Sequence, residues 1–524
     1  MKPERGVQMD KRLVAVFCLC FICSFALLLT ELSAQDRDRE GAIAATAKVD
    51  KEKVNEAVKK ACQFIKSRQN PDGLFVPGGS CRSGGFPEGL TALCLLALLK
   101  SGEAPDSDCI KKGFDYIYNQ NPQFKTVYSV SCLILAIAAR YEPPEEPEDE
   151  EIEKEVEKKD PKKTTLFEPP EKKQERGFKR APAPVKQWMT DAVNWLLAQQ
   201  KDVWSYGPNI GGPNARADAS NSQYAMLALH AATRCGIDIP TEHFAREAEY
   251  FILTQESNGP EVEGFPVPVA DLEIKKLKEM EKEILQQMKQ RFVEAKEKGE
   301  KIDKEKLKGI STGLELEDPY KKFGAEPKKM KARGWSYLIT QNQPEIPAGH
   351  LFFKATGSMT CSGVAALCIA KANLEGTSWF SKYKEKLNTA IRDGCGWLAH
   401  NFSVTANPQS PDWHYYFIYG LERAGVLSLS RDLGKHNWYE EGANFLLSKQ
   451  RADGSWPGET GKEERIRLPA GEMMLSPATL DPLVNTCFAV LFLKRATAPI
   501  VKIPGDIYTG EALVGPKKEP KPEK

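Results

Sequence analysis

Outside two charged stretches, the chain alternates between two kinds of helical pattern. In the first, apolar residues recur at spacings of three and four among charged ones, and the segment ends on an aromatic-aliphatic-x-x-Gln motif. Phe64-Ile65-Lys66-Ser67-Arg68-Gln69, Trp195-Leu196-Leu197-Ala198-Gln199-Gln200 and Phe445-Leu446-Leu447-Ser448-Lys449-Gln450 are its clearest copies. Weaker copies end at Gln120, Gln255 and Phe402. In the second kind, small and apolar residues run almost unbroken: Thr91 to Leu99, Ser129 to Ala139, Ser222 to Ala232, Thr360 to Ala370, Trp413 to Arg423 and Thr486 to Arg495. A helix that is apolar all round must be buried all round, whereas one with a single apolar stripe keeps a wet face.

Six segments of each kind in alternation make six helical hairpins. Ser222 to Leu229 and Thr486 to Leu493 match as Ser/Thr, any, aromatic, Ala, apolar, Leu, any, Leu, so the unit is a repeat. The expectation is an all-α fold, an α/α toroid with an inner ring of apolar helices and an outer ring of amphipathic ones. Closure is favoured over an open solenoid because neither end hairpin has the polar face of a capping repeat. The toroid is expected in three parts, 51–140, 183–262 and 331–500. Between the first two, 141–182 is acidic from Glu145 to Glu157, basic from Lys162 to Arg180 and rich in proline, which predicts a disordered linker. The second interruption, 263–330, carries Leu277, Met280, Ile284, Met288 and Phe292 on one stripe among many charges. That is an amphipathic helix, either a solvated arm or a coiled-coil face for a protein partner. The tail, 501–524, ends in Lys, Pro and Glu and is expected to be unstructured.

At the N-terminus, basic residues precede the apolar run Leu13 to Leu29 and then Leu32-Ser33-Ala34, which reads as a signal peptide over 1–34 and an exported protein. The alternative is an uncleaved membrane anchor. The 73 basic and 72 acidic side chains balance to a net charge of +1, so no field recruits nucleic acid. Of the 13 cysteines, Cys18, Cys20 and Cys23 fall in the signal, and Cys94, Cys132, Cys368 and Cys487 sit in apolar runs as small core residues. Cys62, Cys81 and Cys109 are open to pairing in an exported chain.

The loops between hairpin halves carry a resemblance. Gln450 followed by Asp453-Gly454-Ser455-Trp456, and Gln200 followed by Trp204-Ser205-Tyr206, resemble the glutamine-tryptophan repeats of squalene-hopene and oxidosqualene cyclases and of prenyltransferase beta subunits. The likeness spans 51–500 without the two interruptions. It implies the toroid, a structural role for these motifs in tying outer helices together, and an isoprenoid as one ligand class. It does not carry the family's chemistry across. Where those cyclases have an Asp-x-Asp-Asp cluster, Arg216 to Asn221 offers Asp218 alone, expected to be an ordinary anion or a helix N-cap. Asp393-Gly394-Cys395 has the letters of the prenyltransferase zinc pair, with His414 or His436 as a third ligand, but lies on an outer helix, so no metal and no cofactor is expected. Gly394-Cys395-Gly396 is similar to a thioester motif, yet Leu398 stands where a Gln is required.

In such a ring the N-terminal ends of the inner helices gather at one mouth, where helix dipoles and unpaired amides suit polar ligands. The candidates there are Asp218, Asp412 and His414 for proton transfer, and Asn221, Gln223, Tyr224, Trp413, Tyr415, Tyr416, Asp481 and Asn485 for ligand binding. Asp218, Ser220 and Asp412 also suit as N-caps, and Glu422-Arg423 as an ion pair. The functional expectation is a non-catalytic binding or scaffold module, with a diverged isoprenoid cyclase or transferase and a carbohydrate-active enzyme as alternatives. Its ligand would be an apolar isoprenoid or a glycan.

Overall fold

The computed structural model describes residues 48–501 except 77–85, 120–123, 144–146, 148, 206–217, 313, 315–317, 339–350, 459–463, 469–470 and 476–480, with backbone alone at 312, 351, 464–468 and 471–475. The expected signal peptide, the tail beyond 501, Cys81, Gln120 and Tyr206 lie outside the described residues. Every described helix belongs to the compact unit that begins at Asp50.

The chain is mostly helical. Asp50 opens α1 (Lys51–Lys66) by accepting from the N–H groups of Glu52 and Lys53, which satisfies two donors that a helix start leaves free. α1 buries Val54, Ala57, Val58, Ala61, Phe64 and Ile65 and leaves its other side wet, while α2 (Pro87–Lys100) is buried without a break from Gly89 to Leu98. The same contrast separates α3 (Asp108–Asn119) from α4 (Val127–Arg140). After α5 (Asp149–Glu157) and α6 (Pro170–Lys179) come the half-buried α7 (Ala183–Gln199) and the buried α8 (Ala219–Arg234). α9 (Thr241–Thr254) is half-buried and leads into the second interruption. There β1 (Glu261–Val262), α10 (Pro268–Asp271), α11 (Ile274–Glu297), α12 (Lys304–Thr312), α13 (Pro319–Phe323) and β2 (Met330–Lys331) follow in turn. The buried α14 (Gly357–Leu374), the flanking α15 (Ser378–His400), the buried α16 (His414–Ser428), the flanking α17 (Trp438–Lys449) and the buried α18 (Pro482–Leu493) complete the series. A short antiparallel pair, β3 (Glu464–Leu468) and β4 (Gly471–Leu475), aligns Glu464 with Leu475 between the last two helices.

The buried helices pack in succession. α2 lies against α4, α4 against α8, α8 against α14, α14 against α16 and α16 against α18, and α18 returns to α2. Around them α3 lies on α2, α7 on α4, α9 and α15 on α14, α17 on α16 and α18, and α1 on α18 and α2.

One joint recurs between these layers. The backbone N–H of a loop aromatic donates to a hydroxyl in the first turns of a buried helix: Phe75 to Thr91 (3.3 Å), Trp204 to Ser222 (3.3 Å), Trp335 to Thr360 (3.3 Å) and Trp456 to Thr486 (3.1 Å). The indole N–H of Trp204, Trp335 and Trp456 donates to the carbonyls of Leu196, Phe251 and Leu446 on the preceding flanking helix. The terminal glutamine of that helix then reaches a carbonyl of the next flanking helix: Gln69 to Cys109 (2.9 Å), Gln200 to His243 (3.1 Å), Gln255 to Ala390 (2.9 Å) and Gln450 to Ala57 (2.8 Å). The last of these joins α17 to α1, 393 residues apart. The glutamine-tryptophan motifs thus have a structural role, as the resemblance implied.

The region expected to be a disordered linker is ordered over its described residues. Of its few apolar side chains, Ile152, Leu166, Phe167, Phe178 and Ala181 are buried and Val156 is half-buried. The Glu155 carboxylate accepts from both the N–H and the hydroxyl of Thr165, each at 3.0 Å. Gln174 donates to Ala138 on α4 (2.8 Å), and the region meets the second interruption through Phe167 edge-on to Phe292, Lys278 with Glu171 (3.1 Å) and the Lys296 ammonium on the Lys158 carbonyl. Composition alone hid these partners. The stripe Leu277, Met280, Ile284, Met288 and Phe292 on α11 is buried within this chain.

The second interruption leaves and re-enters the repeat side by side, because β1 pairs with β2 antiparallel. It is also wired to the repeat helices. Arg392 on α15 pairs with Asp271 at 2.7 Å, both side chains at least nine-tenths buried, and Tyr320 donates to the other Asp271 oxygen (2.7 Å). Lys371 on α14, 1% exposed, donates to the carbonyls of Val269 and Leu272 and to Asn388. No described helix is long and apolar enough to cross a membrane.

Two glycines separate strain from contact. Gly73 and Gly102 both have φ +98, but a Cβ on Gly73 would sit 2.0 Å from the Lys112 carbonyl oxygen of α3, whereas a Cβ on Gly102 meets nothing within 4 Å. Gly102→Ala is expected to cost about 1 kcal/mol from the left-handed backbone, and Gly73→Ala about 3–4 kcal/mol once the overlap is added. Urea unfolding of the two variants checks this; equal losses would mean that the approach of this turn to α3 is not a tight one.

Candidate functional site

Asp218 precedes α8 and is its N-cap, as expected, accepting from the Asn221 N–H (2.8 Å) and the Asn221 side-chain amide (2.7 Å). It is not an ordinary anion. At 1% exposure, burial pushes its carboxyl up to about 7, although the cap bonds pull it down. Glu247 on α9 is 0% exposed, with the Ser222 hydroxyl beside its carboxyl. Burial pushes Glu247 up to about 8, the nearby Asp218 adds to this, and the Ser222 hydroxyl, which already accepts from Trp204, offsets it only in part. The second carboxyl comes from a flanking helix, in the segment Glu247-Ala248-Glu249, where nothing in the sequence distinguishes it from a solvated charge.

Beyond the cap, three of the expected ligand residues, Gln223, Tyr224 and Tyr416, meet in one cluster. Tyr128 on α4 donates to the Ser220 hydroxyl on α8, which also bonds the Tyr416 hydroxyl on α16. Tyr416 donates in turn to the Gln223 carbonyl (3.2 Å), which accepts a second bond from Ser362 on α14 (3.1 Å). Four of the buried helices are thereby linked through hydroxyls and one amide. Tyr224 packs edge-on to Tyr128 and stacks with Tyr416, and Phe488 from α18 lies edge-on to Tyr416. Each of these positions falls on a face that the circuit of helices turns toward its neighbours.

At the heart of this aromatic group is Arg423, 0% exposed, a residue the sequence offers only as half of a Glu-Arg pair. Its guanidinium lies over Tyr419 (4.1 Å), Tyr224 (5.0 Å) and Tyr416 (5.7 Å), and none of its nitrogens has a hydrogen-bond partner. Each such ring contact contributes on the order of 1–2 kcal/mol when desolvated. Glu422 does not pair with it at hydrogen-bond distance; its carboxylate accepts from the Thr497 N–H (3.0 Å) and hydroxyl (2.6 Å), and burial pushes it up to about 7.

The other candidates are placed differently. Asp412 is not an N-cap: that position in α16 belongs to Trp413, at φ +66, with no side-chain capping bond, and the Asp412 carbonyl accepts from Asn407 (2.9 Å). His414 bonds the Val404 carbonyl (2.9 Å) and lies 5.1 Å from the Phe445 ring on α17, so it faces a flanking helix while burial lowers its pKa. Tyr415 is buried against His414, and Trp413 is 41% exposed beside Tyr416. Asp481 caps α18 through the Leu483 N–H (2.7 Å), and the Asn485 amide holds the Pro457 carbonyl (2.8 Å). Asp393 is used structurally, by Arg333 (2.7 Å) and the Lys331 N–H (2.8 Å), while burial pushes the Cys395 thiol up to about 12. His436 bonds Glu441 (3.0 Å) and stacks on Phe402. Among the described residues no cluster of three His, Cys, Asp or Glu has the geometry to hold a metal ion.

A cavity of about 50 Å³ lies at the C-terminal ends of α2, α4 and α8, away from the N-terminal ends that the sequence favours, lined by Lys100, Ala139, Gln174, His230, Tyr419 and Thr497. A pocket for a drug-sized ligand is several times larger, roughly 300–1,000 Å³.

The buried carboxyls fix a pH dependence. The folded chain keeps Glu247 protonated to about pH 8, whereas the unfolded chain releases that proton near 4.5, so between those values the folded state holds the extra proton. Stability therefore falls as pH rises through this window. Between pH 5 and 8 the fall in urea stability should exceed that of Glu247→Gln by about 2–4 kcal/mol, and parallel curves would show that Glu247 is not desolvated. Compared with models of known protein families and with curated proteins, the chain matches none.

Proposed function

We propose that the chain is an exported α/α toroid of the squalene cyclase and prenyltransferase type that serves as a binding or scaffold module. In this reading the returning succession of buried helices is the inner ring and the flanking helices are the outer one. The observation that carries it is the packed cluster around Arg423, which in this reading stands at the ring centre. Arg423, Tyr224, Tyr416, Tyr419 and Phe488 fill with side chains the volume in which a ring of this kind would receive an isoprenoid, and the cavity at its C-terminal mouth measures about 50 Å³. Asp412 and His414 contribute loop and packing contacts, and the binding surfaces are then external: the mouth around the exposed Trp413 and the charged appendage of the two interruptions.

One observation favours a second reading, a diverged isoprenoid cyclase. Asp218 and Glu247 are two buried carboxyls held near neutrality, the condition under which a carboxylic acid donates a proton at pH 7.

A single assay separates the two. Purified full-length chain is incubated with squalene, farnesyl diphosphate and a panel of oligosaccharides, and products are sought by mass spectrometry. The scaffold reading expects no product from the parent or from Asp412→Ala and His414→Ala, both of which keep the parent's circular dichroism. Turnover of an isoprenoid that disappears in both Asp218→Asn and Glu247→Gln would replace it with the cyclase.

A further inference from the structure

Cys94 on α2 and Cys487 on α18 bring their sulfurs to 3.8 Å, across the contact where the last buried helix returns to the first. Both are 0% exposed. A single buried cysteine packs as a small apolar residue, and each run read alone suggests no more than that. Two cysteines 393 residues apart that meet sulfur to sulfur at the one contact closing the circuit are a different matter. By comparison, the Cys62 sulfur meets the Ser101 hydroxyl.

We propose that Cys94 and Cys487 are a cross-linking site whose disulfide closes the circuit of buried helices covalently when the chain folds in an oxidising compartment. The oxidant is a disulfide of the glutathione class. One cysteine thiolate attacks it, a sulfur–sulfur bond to the protein forms, the original one breaks, and one glutathione thiolate leaves. The second cysteine thiolate then attacks the protein-bound sulfur and expels the second glutathione. The two protons lost by the cysteines are taken up by the two glutathione thiolates, and the two electrons removed from the protein sulfurs reduce the glutathione disulfide. Burial holds the Cys94 thiol protonated in the closed molecule, so exchange belongs to the interval before α18 docks on α2. Bond formation then draws the sulfurs in from 3.8 Å to the roughly 2 Å of a disulfide.

The test does not depend on where the protein normally resides. The full chain is expressed once behind a standard secretion leader and once in a reducing cytoplasm, then denatured in iodoacetamide. The oxidised product should run faster on a non-reducing gel, because a loop spanning 393 residues of the 524 is closed, and should yield a Cys94–Cys487 linked peptide. Labelling of both cysteines should fall at least about tenfold relative to the cytoplasmic product. Cys94→Ala and Cys487→Ala should each abolish the shift while keeping the parent's circular dichroism, and the urea midpoint of the oxidised parent should exceed that of the reduced one. The proposal is overturned if the secreted chain has the native urea transition yet both cysteines label fully, or if the linkage maps to another pair.

Discussion

The donation of the Gln450 side-chain amide to the Ala57 carbonyl is the contact on which the rest of this molecule leans, because it joins the last flanking helix to the first. Ala57 lies inside α1, and a carbonyl oxygen has two lone pairs, so it can accept from the glutamine without giving up its helical bond. The same device links α1 to α3, α7 to α9 and α9 to α15. Flanking helices that keep a wet face have little apolar surface with which to hold each other, and a row of hydrogen bonds to backbone positions sets their spacing instead. The glycine turns serve that spacing: a Cβ on Gly454, at φ +86, would lie 2.5 Å from the Lys60 carbonyl oxygen.

What periodicity can report, it reported well. The buried helices read as unbroken apolar runs because every face of each meets protein, and the flanking ones as stripes. The joint was legible wherever glutamine, turn and tryptophan follow closely, as from Gln450 to Trp456. It was not legible in the fourth repeat, where Gln255 and Trp335 form the same joint although the whole second interruption stands between them. The Gly334-Trp335-Ser336 triplet was the available signal. The first interruption was misread for another reason. Charge and proline content measure how poorly a segment buries itself, but Glu171, Glu155 and Phe167 are satisfied by Lys278, Thr165 and Phe292, two of them outside any local window.

The candidate site shows the same division. Capping by Asp218 follows from local rules, since a carboxylate two or three residues ahead of free N–H groups finds them. Its raised proton affinity does not, because that depends on the packing that seals it from water. Asp412 and His414 are close in sequence, two residues apart, yet the left-handed turn at Trp413 starts the helix between them and His414 is turned toward α17. Arg423 is the reverse case, half of a Glu-Arg pair at the end of an apolar run, whose aromatic neighbours only the folded chain assembles.

The side-by-side exit and return of the second interruption suggests an element that was once added to a complete repeat and is still detachable. The buried cations say otherwise. Lys371 and Arg392 belong to the repeat helices, yet their hydrogen-bond acceptors, apart from Asn388, lie on the added segment at Val269, Ala270, Leu272 and Asp271. Without the segment both cations would lose these acceptors and the apolar faces of α14 and α15 beneath it would be bared to water, so the second interruption is a working part of the folded unit that its two ends alone would not reveal.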